Sequence, residues 1–235
     1  MIYNMKYTDA HCHILTPPHN EVVCCACDAT NEDDWEKVIN NSNSENVFAC
    51  IGIHPWYINS IRNGWESRLY ETLVQNPTVM VGEVGIDKHK PDIETQIKVF
   101  ADQLEIAAKL KRPLHLHCVG AWDKILHIFK TRGNHMPPTI LAHRFCDNPQ
   151  IIEQIADKYN VYFSYSMEST PDIIRATPIT RILTESDTFD VQKQIQNIIT
   201  AINNIAEITQ SEPNEISEQI YENFQRMVSY VRPIE

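Results

Sequence analysis

The stretch Asp9-Ala10-His11-Cys12-His13 decides how the rest of this sequence is read. On a β-strand successive side chains point to opposite faces, so the odd positions Asp9, His11 and His13 share one face. Two imidazoles on one rigid strand can grip one ion, and Asp9, one layer deeper, is placed to accept the second ring N–H of a ligand histidine and fix its tautomer. A lone buried histidine is usually a hydrogen-bonded core residue, but a His-x-His pair at a strand end favours the metal reading.

Other short apolar or alternating runs repeat this design. Strands are predicted at Lys6 to Ile14, Val22 to Cys27, Val47 to Ile53, Val79 to Val84, Pro113 to Cys118, Thr139 to His143, Val161 to Tyr165 and Arg181 to Ser186. Helical periodicity lies between them, clearest from Asp92 to Leu110, where Ile93, Ile97, Phe100, Leu104 and Ala108 recur at spacings of three and four. Val191, Ile195, Ile198, Ile202 and Ile205 repeat the pattern, and a last helix follows Pro213 with Ile216, Ile220, Phe224 and Met227 on one face. Eight strands alternating with helices fit either a closed parallel barrel or an open doubly wound sheet. The polar residues separate the two. His13, His54, Glu83, His117, His143 and Asp187 all fall near C-terminal strand ends, where only a barrel gathers the ends of strands 1, 4, 5, 6 and 8 at one point. The expected fold is an α/β TIM-type (β/α)8 barrel forming one domain over residues 1–235. No internal repeat, low-complexity tract or Gly/Ser linker divides the chain.

The remaining strand ends carry chemistry. Gly82-Glu83-Val84-Gly85-Ile86-Asp87 sets a carboxylate inside an apolar segment, where an unpaired Glu would be costly and needs a cation or a proton. With two ions present, the two oxygens of Glu83 can bridge a pair about 3.5–4 Å apart. Strands 5 and 6 end in His117 and His143, and in strand 8 Glu185 and Asp187 share a face. Asp187, nearer the mouth, is suited both to touch a metal and to take a proton from its water, whereas Glu185 supports from below. Nitrogen and carboxylate donors suit zinc, manganese, iron or nickel more than calcium or a fully selective magnesium site, and magnesium stays among the candidates for the two divalent ions.

With these pieces in order along nearly the whole chain, the sequence resembles the TatD-related metal-dependent hydrolases, a branch of the amidohydrolase-like barrel enzymes. Gly52-Ile53-His54-Pro55, the run from Gln96 through Phe100 and Leu104 to His117, and Glu185-Ser186-Asp187 add to the motifs already quoted. The resemblance implies that His11 and His13 hold one ion, His117 and His143 the other, that Glu83 bridges, and that Asp187 is ligand and general base. It implies hydrolysis, often of DNA phosphodiesters. The chain departs from the family pattern at Cys118-Val119 after the strand 5 histidine, at Arg144-Phe145-Cys146-Asp147 after His143, and at Thr188-Phe189 where Ala-Pro is common. These changes spare every implied ligand and alter the loops that face substrate.

Composition narrows the alternatives. Twenty Lys plus Arg against 31 Asp plus Glu give a net charge of −11, which repels a phosphate backbone at long range, so a nucleic-acid substrate must be attracted locally. Arg144 is a candidate substrate contact, for DNA or a small phosphate ester, and His54 either contacts the phosphate or caps its loop. The rival readings are a hydrolase of a small-molecule ester or amide with the same ions and, from another class, a non-catalytic metal-binding module. A nucleotide-binding module is disfavoured because neither G-x-G-x-x-G nor G-x-x-x-x-G-K-[ST] occurs. No secretory signal, apolar run of membrane-spanning length or partner-binding segment is evident, and seven scattered cysteines read as reduced thiols of a cytoplasmic protein. Cys24 and Cys27 have a Cys-x-x-Cys spacing but face opposite sides of a strand, so these thiols are expected to serve as small core residues. His115 is expected to be a satisfied core histidine, and His19, His89, His127 and His135 to be surface residues.

Overall fold

In the computed structural model, which describes residues 5–42 and 46–231, eight strands are laid side by side in sequence order, each parallel to the next. The expected unit 1–235 also takes in residues 1–4, 43–45 and 232–235, which lie outside the described residues. The strands are β1 (Tyr7–Cys12), β2 (Val22–Asp28), β3 (Val47–Ile51), β4 (Met80–Asp87), β5 (Leu114–Val119), β6 (Ile140–Ala142), β7 (Val161–Tyr165) and β8 (Ile182–Thr184). The helices are α1 (Trp35–Asn41), α2 (Trp65–Gln75), α3 (Ile93–Leu110), α4 (Trp122–Arg132), α5 (Pro149–Ile155), α6 (Pro171–Ala176), α7 (Val191–Thr209) and α8 (Pro213–Val228). The alternation closes on itself. Past the end of β8, the Asp187 N–H donates to the His11 carbonyl at 3.1 Å, and the His13 N–H donates to the Thr188 carbonyl at 2.9 Å. These bonds join the last strand's extension to the first and leave no open sheet edge at the mouth. The architecture is the expected (β/α)8 barrel.

The apolar faces read from the sequence are the ones that pack. Phe100 and Leu104 of α3 and Ile198, Ile202 and Ile205 of α7 are buried against the barrel wall, as are Ile216, Ile220, Phe224 and Met227 of α8. Asp190 caps α7 by accepting from the Gln192 N–H at 2.9 Å, and Pro213 opens α8, where its missing N–H costs nothing.

Apart from β7, the strand ends differ from expectation by up to three residues, and three of them bear on the mouth. β4 runs on to Asp87, three residues past Val84, because Gly85 lets it press against β5. A Cβ at Gly85 would lie 1.8 Å from the His117 carbonyl oxygen. β6 and β8 are shorter than predicted, and past them the chain turns through Arg144 and Asp187. Asp187 takes a φ of 44°, and Arg144, after β6, a φ of 45°. Side chains other than glycine adopt this left-handed region at a cost, and such residues concentrate at functional sites.

Candidate metal centre at the barrel mouth

The strand ends bring His11, His13, Glu83, His117, His143 and Asp187 together around one carboxylate. Glu83 lies across the centre, with its two oxygens serving different groups. Oε2 stands 3.4 Å from both His11 Nε2 and His13 Nε2. Oε1 stands 2.6 Å from His117 Nδ1, 2.7 Å from His143 Nε2 and 3.3 Å from His54 Nε2. Asp187 Oδ1 closes the first group, 3.5 Å from His13 Nε2 and 3.9 Å from His11 Nε2. His11, His13, Glu83, His117 and His143 are buried.

These donors fit a metal. Ions that bind nitrogen and oxygen at about 2.0–2.2 Å hold their donors roughly 3.0–3.5 Å apart, the separation seen around Glu83 Oε2, while His117 and His143 approach Oε1 more closely, at 2.6 and 2.7 Å. His11 Nε2 is buried without a hydrogen-bond partner among the described residues, although it faces two carboxylates. A buried donor aimed at such a gap is expensive unless a cation completes it. His117 Nδ1 and His143 Nε2 lie 3.1 Å from each other while both face Glu83 Oε1, the crowding of ligand atoms around a shared charge.

The rings are oriented from behind. The His13 Nδ1–H donates to the Asp28 carbonyl at 2.9 Å, which turns Nε2 toward Glu83. His11 Nδ1 stands 3.1 Å from Asp28 Oδ2, and the same oxygen is 3.0 Å from His115 Nδ1. Asp9 was expected in this role and does not fill it. Its carboxylate accepts from the Ser186 hydroxyl at 2.6 Å, the Ser186 N–H at 2.9 Å and Gln194 Nε2 at 2.9 Å, so it ties β1 to the β8 extension and α7 instead. The ring partner is Asp28, from the neighbouring strand. A carboxylate ending the apolar run Val22–Asp28 was the available signal, of the kind that singled out Glu83. Glu185 backs His143, with Oε2 3.7 Å from Nδ1, and is held by the Ser164 hydroxyl and by the Arg144 N–H at 2.9 Å. His115 is a satisfied core histidine, packed between Asp28 and Cys50. Of the four histidines expected at the surface, His89, His127 and His135 are exposed and His19 is half-buried.

Charge follows this geometry. Burial pushes the Glu83 carboxyl up, but His143, His54, His11 and His117 together hold it well below the usual carboxylate range. Burial likewise opposes charging His13, yet Asp187 and Glu83 raise its imidazole to about 10. Asp187 is held low, since His13, His11 and His143 outweigh its desolvation. The centre is built to keep carboxylates ionised against positive charge.

Above it opens a cavity of about 420 Å³ lined by His54, Trp56, Tyr57, Cys118, Arg144 and Phe189, among others. His54 does two things. Its Nδ1 accepts from the Trp56 N–H at 3.1 Å, capping the short helix Pro55–Ser60, while Nε2 faces Glu83 and His117. Arg144 is not free: Nη1 donates to Asp187 Oδ2 at 2.8 Å and Nη2 to Glu168 Oε2 at 2.5 Å. Of the rim aromatics, Trp56 escaped the sequence reading: it is 54% exposed with its Nε1 donating to Asp87 Oδ2 at 2.6 Å. Phe189, in the altered loop after Asp187, is 70% exposed with its ring stacked on His13 at 4.8 Å.

The family model described as TatD related DNase matches residues 8–229. The chain belongs to that family. Its structure is similar to that of the TatD homologue YjjV from Escherichia coli, with a TM-score of 0.81, 23% identity and coverage of 97% of this chain and 98% of that one. Among curated relatives, the human 3'-5' RNA nuclease TATDN2 is 28% identical over 68% of this chain, which spans only 22% of that protein. The uncharacterized metal-dependent hydrolase MJ1582 of Methanocaldococcus jannaschii is 21% identical over 94% of this chain and 96% of its own length. Human deoxyribonuclease TATDN3 is 24% identical over 80% and 81%. For this TatD-family chain, the family and the class of metal-dependent hydrolase are those expected from the sequence.

Proposed function

We propose that this chain is a binuclear metal-dependent phosphodiesterase that cleaves DNA or a related single-stranded nucleic acid. The observation that carries the reading is the division of Glu83, with Oε2 facing His11 and His13 and Oε1 facing His117 and His143. Two ions would be held there, one by His11, His13 and Asp187 and the other by His117 and His143, with Glu83 available to both. When bound, two divalent ions supply acidity for the attacking water and positive charge for the phosphoryl oxygens.

The protein's own residues do the rest. Asp187 Oδ1 faces the His11–His13 pair and takes the proton of the attacking water, while Oδ2 stays tied to Arg144, which fixes the carboxylate's direction. His54 Nε2 lies beside the His117 group, where it can donate to a phosphate oxygen. The rim offers what a single strand needs in place of a basic groove, namely flat faces for bases. Trp56, Tyr57 and Phe189 line the opening, and Lys90 sits over the Trp56 ring at 4.1 Å. Relatives named as nucleases of RNA and of DNA support the same class of substrate. No helix among the described residues is long and apolar enough to cross a membrane, and the seven free cysteines suit a cytoplasmic setting.

One observation favours a second reading, hydrolysis of a small ester or amide. Arg144 is neutralised by two carboxylates, and the cavity volume is that of a small-molecule pocket. The test is a panel of single- and double-stranded DNA, single-stranded RNA, a simple phosphodiester, and acyl and amide esters. It is run with the chain loaded with zinc, manganese or magnesium, then with chelated chain and with Asp187→Asn. Metal- and Asp187-dependent phosphodiester cleavage is the expected result. Turnover confined to acyl or amide substrates establishes the second reading, and no turnover with any metal overturns both.

A further inference from the structure

On the outer side of the barrel wall, behind the histidines of β1, three thiols converge. Cys12 of β1 and Cys25 and Cys27 of β2 place their sulfurs within 4.8 Å of one another, with Cys12 to Cys27 at 3.6 Å and Cys25 to Cys27 at 3.9 Å. Cys24 and Cys27, the Cys-x-x-Cys pair of the sequence, do not meet; Cys24 turns instead toward Thr8, its sulfur 3.6 Å from Oγ1. The convergence follows from strand geometry. Residues 25 and 27 share a face, and Cys12, lying between the inward-facing His11 and His13, points outward to join them. We propose that Cys12, Cys25 and Cys27 form a buried three-thiolate site for one soft, thiophilic ion, for which univalent copper is the natural probe.

Sulfur ligands at about 2.3 Å from a metal stand roughly 3.8 Å apart in a tetrahedral site and about 4.0 Å apart in a trigonal one, close to the separations here. Packed reduced thiols reach similar distances, so spacing alone does not decide. The surroundings do. Each flanking helix brings an amide within reach of a sulfur: Asn41 Nδ2 of α1, which donates to the Thr16 carbonyl at 2.8 Å, lies 3.8 Å from Cys27, and Gln194 Nε2 of α7, which donates to Asp9 at 2.9 Å, lies 3.9 Å from Cys12. Amide N–H groups aimed at sulfur stabilise thiolate charge and recur behind metal-bound cysteines. The contacts from Cys12 and Cys25 lower the Cys27 thiol to about 6, while contacts within the cluster, together with burial, push the Cys25 thiol, and with it Cys12, well up, so the metal-free cluster favours one thiolate held by two thiols. All three residues are fully buried, so a thiolate there has no water to solvate it and calls for a cation. Three sulfurs with no imidazole among them select a soft ion over those suited to the nitrogen and oxygen donors of the mouth. Coordination by all three expels the thiol protons of Cys12 and Cys25 and transfers no electrons.

The test uses the full chain, metal-stripped and reduced under anaerobic conditions, titrated with univalent copper against a competing chelator. X-ray absorption is expected to show one equivalent bound by three sulfurs, and that signature is expected to be lost in Cys25→Ser and in Cys27→Ser. Should these variants fail to fold, cadmium-113 NMR of the unsubstituted chain identifies the ligands through couplings to the β-protons of Cys12, Cys25 and Cys27. No uptake, fewer than three sulfurs, imidazole ligation, or a signature that survives Cys25→Ser overturns the proposal.

Discussion

Asp28 serves three histidines at once, through its carboxylate to His11 and His115 and through its carbonyl to His13. Removing its charge while keeping its shape isolates that role. Asp28→Asn is expected to weaken metal binding about 10–100-fold, as loss of a ligand's supporting partner does elsewhere. Competition titration measures this, and an unchanged affinity would remove Asp28 from the site. Asp187 acts on the reaction itself. Asp187→Asn keeps an oxygen toward His13 but loses the basicity, so turnover is expected to fall about 10²–10⁴-fold while the melting temperature holds. A loss of only a few-fold would mean that another group takes the proton. The residues around Glu83 were legible because a histidine or carboxylate at the end of an apolar strand is conspicuous. Asp28 was not, because a histidine's Nδ1 reaches sideways to the next strand as readily as down its own. Asp9 is displaced because the β1–β2 register shifts between Asp9 and Cys12, and Ser186 and Gln194 claim its oxygens. Which neighbour a ring chooses depends on inter-strand stagger, and one strand's sequence does not contain it.

β4 and the loop after β8 show how elements aim these residues. Gly82 leaves room inside the barrel, since a Cβ there would fall 2.5 Å from Asp28 Oδ1 and 2.8 Å from the His115 Cβ. At Gly85 the obstruction is the His117 backbone of β5. Gly85→Ala therefore separates the strand carrying Glu83 from the strand carrying His117. Overpacking of this kind costs about 1–3 kcal/mol, or a fall of roughly 2–12 °C in melting temperature for a chain of this size. A thermal melt checks it, and metal affinity should drop in parallel. The loop after β8 acts on substrate. Its Phe189 takes the place of the shorter side chains of the family pattern and lies against His13 with its other face open. Stacking of a base on an aromatic ring is worth about 1–3 kcal/mol, so Phe189→Ala is expected to lower kcat/KM on single-stranded DNA about 5- to 100-fold. An oligomer with abasic residues should lose little, and equal losses on both substrates would assign Phe189 to holding His13 alone. The strands and long helices were legible from periodicity. Their last residues were not, because past β6 and β8 the chain turns through Arg144 and Asp187, whose contact is made across the barrel.

At the scale of the molecule, the barrel gathers like charges that repel and opposite charges that lack water. His11, His13, His54, His117 and His143 all approach the single carboxylate of Glu83, in a chain whose net charge is −11. The overall acidity was legible and the class of chemistry followed from the strand ends. The substrate was not, because it depends on rim groups such as Trp56 and Arg144, whose availability is set by Asp87, Glu168 and Asp187 far along the chain. A centre placed where all strands converge couples metal binding to the stability of the whole barrel, since unfolding scatters every donor. With free ion at about 100 times its dissociation constant, mass action adds about 2.7 kcal/mol to the folded state. For a chain of this length that corresponds to a rise of roughly 5–11 °C in melting temperature. Calorimetry of stripped and reloaded chain measures the rise, and chelation should reverse it together with turnover. Glu83→Gln removes the charge that holds the two histidine groups together, and is expected to abolish most of the rise. If Glu83→Gln keeps the full shift, the stabilising ion binds elsewhere; if the unsubstituted chain shows no shift at all, the donors at the mouth do not hold metal.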